Sequence, residues 1–212
     1  SRISGLTVID DRGGELLTFS QRVFFEQRLK RPDPWFSSST SLGYQFYDNR
    51  EWISTLPFGV SQEITIRQAL TRNKLNHPLF PSAGSKFSLS LEVAPPLGDL
   101  IQYHKWRLSN TWHTPITQKL SIGFSSDFGF IGSLDSRDVA FERFIVGGSP
   151  FETQGFYSFF GKDIVYLRGY PLGALGPRSE DNDPFGGKVL NKYTAELKYM
   201  AIQSEQLQAA QY

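Results

Sequence analysis

Alternation of apolar and polar residues at period two, repeated in segments of about 10–14 residues, constrains this chain more than any other feature. Between Lys86 and Val93, Phe87, Leu89, Leu91 and Val93 are apolar, while Lys86, Ser88, Ser90 and Glu92 are polar. Successive side chains of a strand point to opposite faces, so this segment has an oily face and a wet one. Residues 60–71 repeat the pattern, with Val60, Ile64, Ile66 and Leu70 against Ser61, Glu63, Thr65, Arg67 and Thr71. Residues 17–29 set Leu17, Phe19, Val23, Phe25 and Leu29 against Thr18, Ser20, Arg22, Glu26 and Arg28. Further copies lie at 35–47, at 118–130 (Leu120, Ile122, Phe124, Phe128 and Phe130 on one face) and at 189–199. In the last of these, Val189, Tyr193, Ala195, Leu197 and Tyr199 oppose Lys192, Thr194, Glu196 and Lys198. The segment 100–113 is less clean, with aromatics on both faces.

A soluble β-sandwich gives the same alternation, so length must decide. Sandwich strands usually run about 5–6 residues, whereas about 9–11 residues tilted near 45° span a bilayer. The connections point the same way. KRPDP (30–34) and HTPIT (113–117) are tight, the connection at 48–59 is longer, and that at 132–187 is very long. Short turns at one end and long loops at the other are a habit of membrane barrels. The connection at 73–84 is longish, but its Pro-Ser-Ala-Gly end is turn chemistry. The pattern predicts an all-β, antiparallel transmembrane barrel wall.

Composition agrees. Aromatics reach 15%, with Gly at 19 and Pro at 12, a mix suited to pleated strands joined by turns. A net charge of +1 supplies no global field toward nucleic acid. The absence of cysteine removes disulfides, thiolate metal sites and thiol nucleophiles. No run approaches the 18 or so apolar residues of a membrane helix, and no signal-peptide pattern opens the chain.

A connection as long as 132–187 is expected to do something. It contains FERFIVGG (141–148), an aromatic stretch, YLRGYPLGALGPR (166–178) and the acidic SEDNDPFGG (179–187). Other chemistry is thinly represented. His77, His104 and His113 lack metal-ligand spacing. Asp10-Asp11, Glu180, Asp181 and Asp183 are acidic without the frame of a calcium loop. Gly-Ala-Leu-Gly (173–176) is followed by no Lys-Ser/Thr, and no nucleophile elbow is present.

Phe141-Glu142-Arg143-Phe144 followed by Gly147-Gly148, then Leu167-Arg168-Gly169-Tyr170, then NKYTAELKY (191–199) resembles the bacterial surface antigen barrel of BamA-type assembly factors. The segments PSAGSKFSLSLEVAPP (81–96) and YHKW (103–106) are also similar to that family, so the resemblance covers roughly residues 60–200. Leu167 stands where the family more often has Val. The resemblance implies that the long connection is the sixth outer loop and folds back into the barrel lumen. It implies further that Arg168 is received by a lumenal glutamate on the following strand. Glu196 matches that glutamate and lies on the polar face by the independent alternation count. A guanidinium fork fits a carboxylate well enough to pin a long loop. Phe141, Glu142, Gly147 and Gly148 would support the loop, and Glu142 and Arg143 offer a lumenal charged contact.

On the same basis, residues 1–212 are expected to be a partial barrel of roughly seven whole strands out of about sixteen, with scraps at both ends and the long outer loop at about 132–187. The early strands, the last strands and the periplasmic POTRA domains would lie outside the chain. The implied activity is assembly and insertion of β-barrel proteins in the bacterial outer membrane, with no enzymatic step and no cofactor. The implied partners are unfolded outer-membrane proteins, outer-membrane lipid and accessory lipoproteins, and no nucleic acid. A TamA-like factor or a two-partner secretion pore shares the loop motifs. An enzymatic barrel would need a nucleophile–base signal that is lacking. A soluble sandwich with Trp35, Trp52, Trp106 and Trp112 as a carbohydrate platform is the alternative from another class.

Overall fold

The computed structural model describes residues 2–9, 15–29, 33–50, 59–139, 142–149, 163–178 and 184–199. Eight strands form one antiparallel sheet: β1 (Arg2–Ile9), β2 (Glu15–Arg28), β3 (Phe36–Arg50), β4 (Gly59–Asn73), β5 (Gly84–Ala94), β6 (Tyr103–Pro115), β7 (Leu120–Ser133) and β10 (Val189–Tyr199). Neighbours in sequence are neighbours in the sheet, in the order β1-β2-β3-β4-β5-β6-β7-β10. Two short strands inside the long connection, β8 (Ile145–Val146) and β9 (Ile164–Val165), pair parallel to each other. No helix of the described residues is long and apolar enough to cross a membrane.

From β2 onward the sheet strands run 11 to 15 residues, long enough to cross a bilayer at a tilt. The register turns the alternation of each strand into continuous stripes. One stripe is Leu70, Leu89, Leu108 and Phe128 across β4, β5, β6 and β7. A stripe of the opposite face is Arg67, Glu92, Lys105 and Ile131. The apolar face is bare: Leu42, Ile66, Leu89, Trp106, Trp112, Phe124, Phe130 and Tyr193 are all exposed. Among the described residues no second sheet covers it, which removes the sandwich alternative and its aromatic platform. Trp35 sits apart at the β2–β3 turn, and Trp52 lies outside the described residues. Contiguous apolar surface on this scale is intolerable to a soluble monomer, which exposes patches of only about a few hundred Å².

The first segment departs from expectation. Arg2–Ile9 is a paired strand rather than a scrap, with Arg2 opposite Arg22 and Ile9 opposite Glu15. Its alternation is broken around Gly5, so pairing with β2, not periodicity, defines it.

The other face carries the long connection between β7 and β10. Phe144, Val165 and Val139 of the loop pack with Tyr47, Ala94, Ile101, Tyr103, Ile131 and Leu190 into one buried cluster. Burying Phe144, Ile145 and Val165 is worth about 1.5–3 kcal/mol each, against the entropy of ordering the loop. This cluster explains the untidy pattern of 100–113. Tyr103 faces the loop and is fully buried, donating to Glu92 Oε1 at 2.9 Å, while Trp106 and Trp112 face outward. Where a loop covers the polar face, that face acquires its own dry core, and aromatics appear on both sides of the strand.

Candidate functional site

The alternation of β6 puts Tyr103, Lys105 and Arg107 on the loop face, and there Lys105 meets the loop. Its ammonium lies 2.9 Å from Glu142 Oε2 and 3.2 Å from Asp163 Oδ2. Arg107 backs the second carboxylate at 3.6 Å. Glu142 and Asp163 are distant in sequence, and local pairing brings them together. Ile145 N–H donates to the Asp163 carbonyl at 3.0 Å, and β8 lies beside β9. The side chains of Lys105 and Glu142 are only 6% and 5% exposed, so this is a desolvated contact rather than a surface ion pair. Burial would raise Asp163, but Lys105 and Arg107 outweigh it and hold the carboxyl below its usual range. At Glu142 burial wins over the pull of Lys105, with Glu92 adding repulsion, and the carboxyl is pushed up to about 7.

Next to this cluster the Phe144 ring occupies a notch in the wall. A Cβ on Gly129 of β7 would fall 2.4 Å from the ring's Cζ, so only glycine leaves room. The Lys105 ammonium lies 5.4 Å from the same ring. Arg143 turns the other way, bonding Asp138 at 2.6 Å and stacking on Phe185 at 3.7 Å. Lys188 also reaches Asp138, at 3.3 Å, so both roots of the loop share one carboxylate.

The two glycine motifs of the loop come together. Gly147 N–H donates to Val165 O at 3.1 Å, and Gly148 N–H donates to Tyr170 O at 2.8 Å. Gly147 has φ +121°, and a Cβ there would lie 2.1 Å from the Pro171 carbonyl oxygen. Gly147-Gly148 is therefore the seat of the Leu167–Tyr170 turn. Gly169 supplies the left-handed residue of that turn, at φ +84°. Leu167 is half-buried, while Arg168 and Tyr170 are exposed.

Glu196 lies on the loop face, in the row of Gly123 and His113. Its ion pair is with Lys198, at 3.4 Å, and among the described residues no ion pair joins it to Arg168. The loop touches β10 higher up, where Lys192 Nζ donates to Tyr166 O at 2.8 Å. Glu196 lies four residue steps along β10 from Lys192, about 13 Å. Phe141, Asp10-Asp11, Glu180, Asp181 and Asp183 lie outside the described residues. Among the described residues no group of histidine and acidic side chains could hold a metal ion. His77 caps its own turn, its Nδ1 accepting from Leu79 and Phe80 N–H. Sequence reasoning missed Lys105, Asp163 and Gly129, whose roles depend on contacts across the fold.

The Omp85 superfamily domain matches residues 21–209. The chain belongs to the Omp85 superfamily. Within the curated proteins it is similar to the outer membrane protein assembly factor BamA of Neisseria meningitidis serogroup B (strain ATCC BAA-335 / MC58), at 26% identity over 132 residues. That match covers 60% of this chain and 15% of the relative. Among solved structures it is similar to the crystal structure of BamA from Haemophilus ducreyi lacking POTRA domains 1-3, with a TM-score of 0.67 at 19% identity. The likeness covers 93% of this chain and 40% of the solved one, so the chain spans well under half the length of both relatives. This Omp85 chain is accordingly part of a β-barrel of the bacterial outer membrane. Its bare apolar face meets lipid, and the face that carries the loop is lumenal.

Proposed function

We propose that this Omp85 chain belongs to a barrel that assembles and inserts other β-barrel proteins into the bacterial outer membrane, without enzymatic chemistry. Its clients would be unfolded outer-membrane proteins, delivered from the periplasm with the help of accessory lipoproteins. Unpaired strand N–H and C=O groups are intolerable in lipid, so a barrel that eases their entry lowers the main barrier. The observation that carries this reading is the long loop folded onto the lumenal wall, where Glu142 and Asp163 meet Lys105 and the Phe144 ring sits against Gly129. A loop held there braces the wall from inside. The BamA relative from Neisseria meningitidis, named as an assembly factor, supports the same reading. Within this proposal Arg168 is an exposed cation of the loop, and Glu196 is a lumenal carboxylate it would meet if the loop shifts along β10.

The test is reconstitution of the full-length protein in lipid vesicles, followed by addition of a urea-unfolded outer-membrane barrel. Faster appearance of the heat-modifiable folded client than in empty vesicles is expected. Equal rates with and without the protein would overturn the reading.

A further inference from the structure

We infer that Lys105 is the positioning residue of the lumenal loop: one buried ammonium on the wall gathers Glu142 and Asp163 and so fixes where the loop sits. The inference deepens the proposed function and rests on it for its biological meaning, though not for its geometry. Glu142 stands just before β8 and Asp163 just before β9, so the two carboxylates are the two ends of one excursion. The strands themselves are two residues each, too short to hold that excursion closed on their own. An ammonium has three donors, and here two of them are aimed at the two jaws.

Position strengthens the contact. Lys105 is fixed by the sheet on both sides, opposite Glu92 of β5 and Ile131 of β7. Beneath the loop, water is excluded by Phe144, Val165 and Tyr103. Removing the lysine would leave Glu142 buried without its partner and Asp163 with Arg107 alone, the costly way to break a desolvated contact. Neutralising all three groups would cost far less, because no charge is then stranded. The arginine of the Leu167–Tyr170 motif does not do this work in the structure described. It is exposed and makes no ion pair among the described residues.

Docking is read directly by a single cysteine at Val165, which is 3% exposed in the docked loop, in full-length protein freed of other cysteines. Maleimide labelling of Val165→Cys in membranes is compared with Leu79→Cys, which is 76% exposed in a turn. Lys105→Met is expected to raise the ratio roughly tenfold or more while the barrel keeps its heat-modifiable gel mobility. Lys105→Arg, which retains the charge, is expected to return the ratio most of the way to wild type. Lys105→Met with Glu142→Gln and Asp163→Asn is expected to fall between them, a relief that a merely space-filling lysine would not show. Should Lys105→Met fail to fold, Glu142→Leu with Asp163→Leu removes both acceptors and reads the same contact from the loop side. An unchanged ratio in whichever of these two variants folds overturns the inference. A raised ratio with undiminished client assembly would leave the clasp standing and count against the proposed function instead.

Discussion

Replacing Gly129 by alanine separates a docked loop from an undocked one by the sign of its effect. In a strand whose lumenal face is open to water, Gly→Ala removes an entropic penalty and stabilises by about 0.5–1 kcal/mol. Here the new Cβ would lie 2.4 Å from Phe144 Cζ and under 3 Å from both ring Cε atoms. Ordinary carbon contacts are about 3.5–4.0 Å, so the ring must retreat by roughly 1 Å or more. Phe144 is 2% exposed and hemmed in by Tyr103, Ile131 and Leu190, which makes this overpacking worth about 1–3 kcal/mol. The net effect is a loss of about 1–2 kcal/mol, or about 5–30-fold in the docking equilibrium. Labelling of Val165→Cys measures it, and a double-mutant cycle with Phe144→Leu isolates the contact, with a coupling of about 1 kcal/mol expected. If Gly129→Ala leaves labelling unchanged or slows it, Phe144 does not occupy the notch and the docked arrangement is wrong.

Gly147→Ala carries both a left-handed backbone and a clash with the Pro171 carbonyl, which cannot swing away as a side chain would. A loss of about 3–5 kcal/mol in loop docking is expected, read as labelling of Val165→Cys close to that of a fully exposed thiol; a wild-type rate would refute the seat assigned to this glycine. Loop docking should also depend on pH through Glu142. Its carboxyl is raised to about 7 by burial, which outweighs the pull of Lys105 and is reinforced by Glu92 and Asp163, so its contribution is fully present below the ordinary carboxylate range and is lost as pH rises through about 7. The ratio of Val165→Cys to Leu79→Cys labelling should therefore rise between about pH 5 and 8, and Glu142→Gln should flatten that rise. A ratio that falls over this range, or an unaltered profile in the variant, would contradict the sign. Arg168→Ala and Arg168→Lys should leave the labelling ratio at its wild-type value, because Arg168 holds no carboxylate in this state; a large rise in either would show that it does. In client assembly Arg168→Ala is expected to fall further than Arg168→Lys, and equal defects would mean that guanidinium geometry matters more than charge.

The strands and their faces were legible in the sequence because lipid and lumen impose opposite solvents on alternate residues. Phe87, Leu89, Leu91 and Val93 declare the lipid side of β5 without help from any other segment, and Glu196 declares the lumenal side of β10 as clearly. Legibility fails where a third environment intervenes. Tyr103 belongs to a dry pocket that exists only because the loop covers it, so its strand reads as mixed. β1 lacks a clean period and is defined by its partner. The glycine pair and the Leu167–Tyr170 turn were visible as motifs, and the backbone explains them, since Gly147 and Gly148 bond Val165 and Tyr170 directly. Lys105 was invisible for a different reason. A lysine on the polar face of a strand looks solvated, and nothing local reveals that two distant loop carboxylates converge on it. The pairing of Arg168 with Glu196 rests on resemblance; in the structure β10 meets the loop through Lys192, which reaches Tyr166 O, and through Leu190, which packs beneath Phe144 and Val165.

The most direct test of the account places nitroxide spin labels one at a time at residues 87 to 93 of the full-length protein in vesicles. Collision with oxygen, which partitions into lipid, is compared with collision with a water-soluble nickel chelate. A lipid-facing wall of an Omp85 barrel predicts oxygen access peaking at Phe87, Leu89, Leu91 and Val93. Minima for both reagents are expected at Ser90 and Glu92, which are buried on the lumenal side. Oxygen access without a period of two, or nickel access equal to that of oxygen at Leu89 and Leu91, would contradict it.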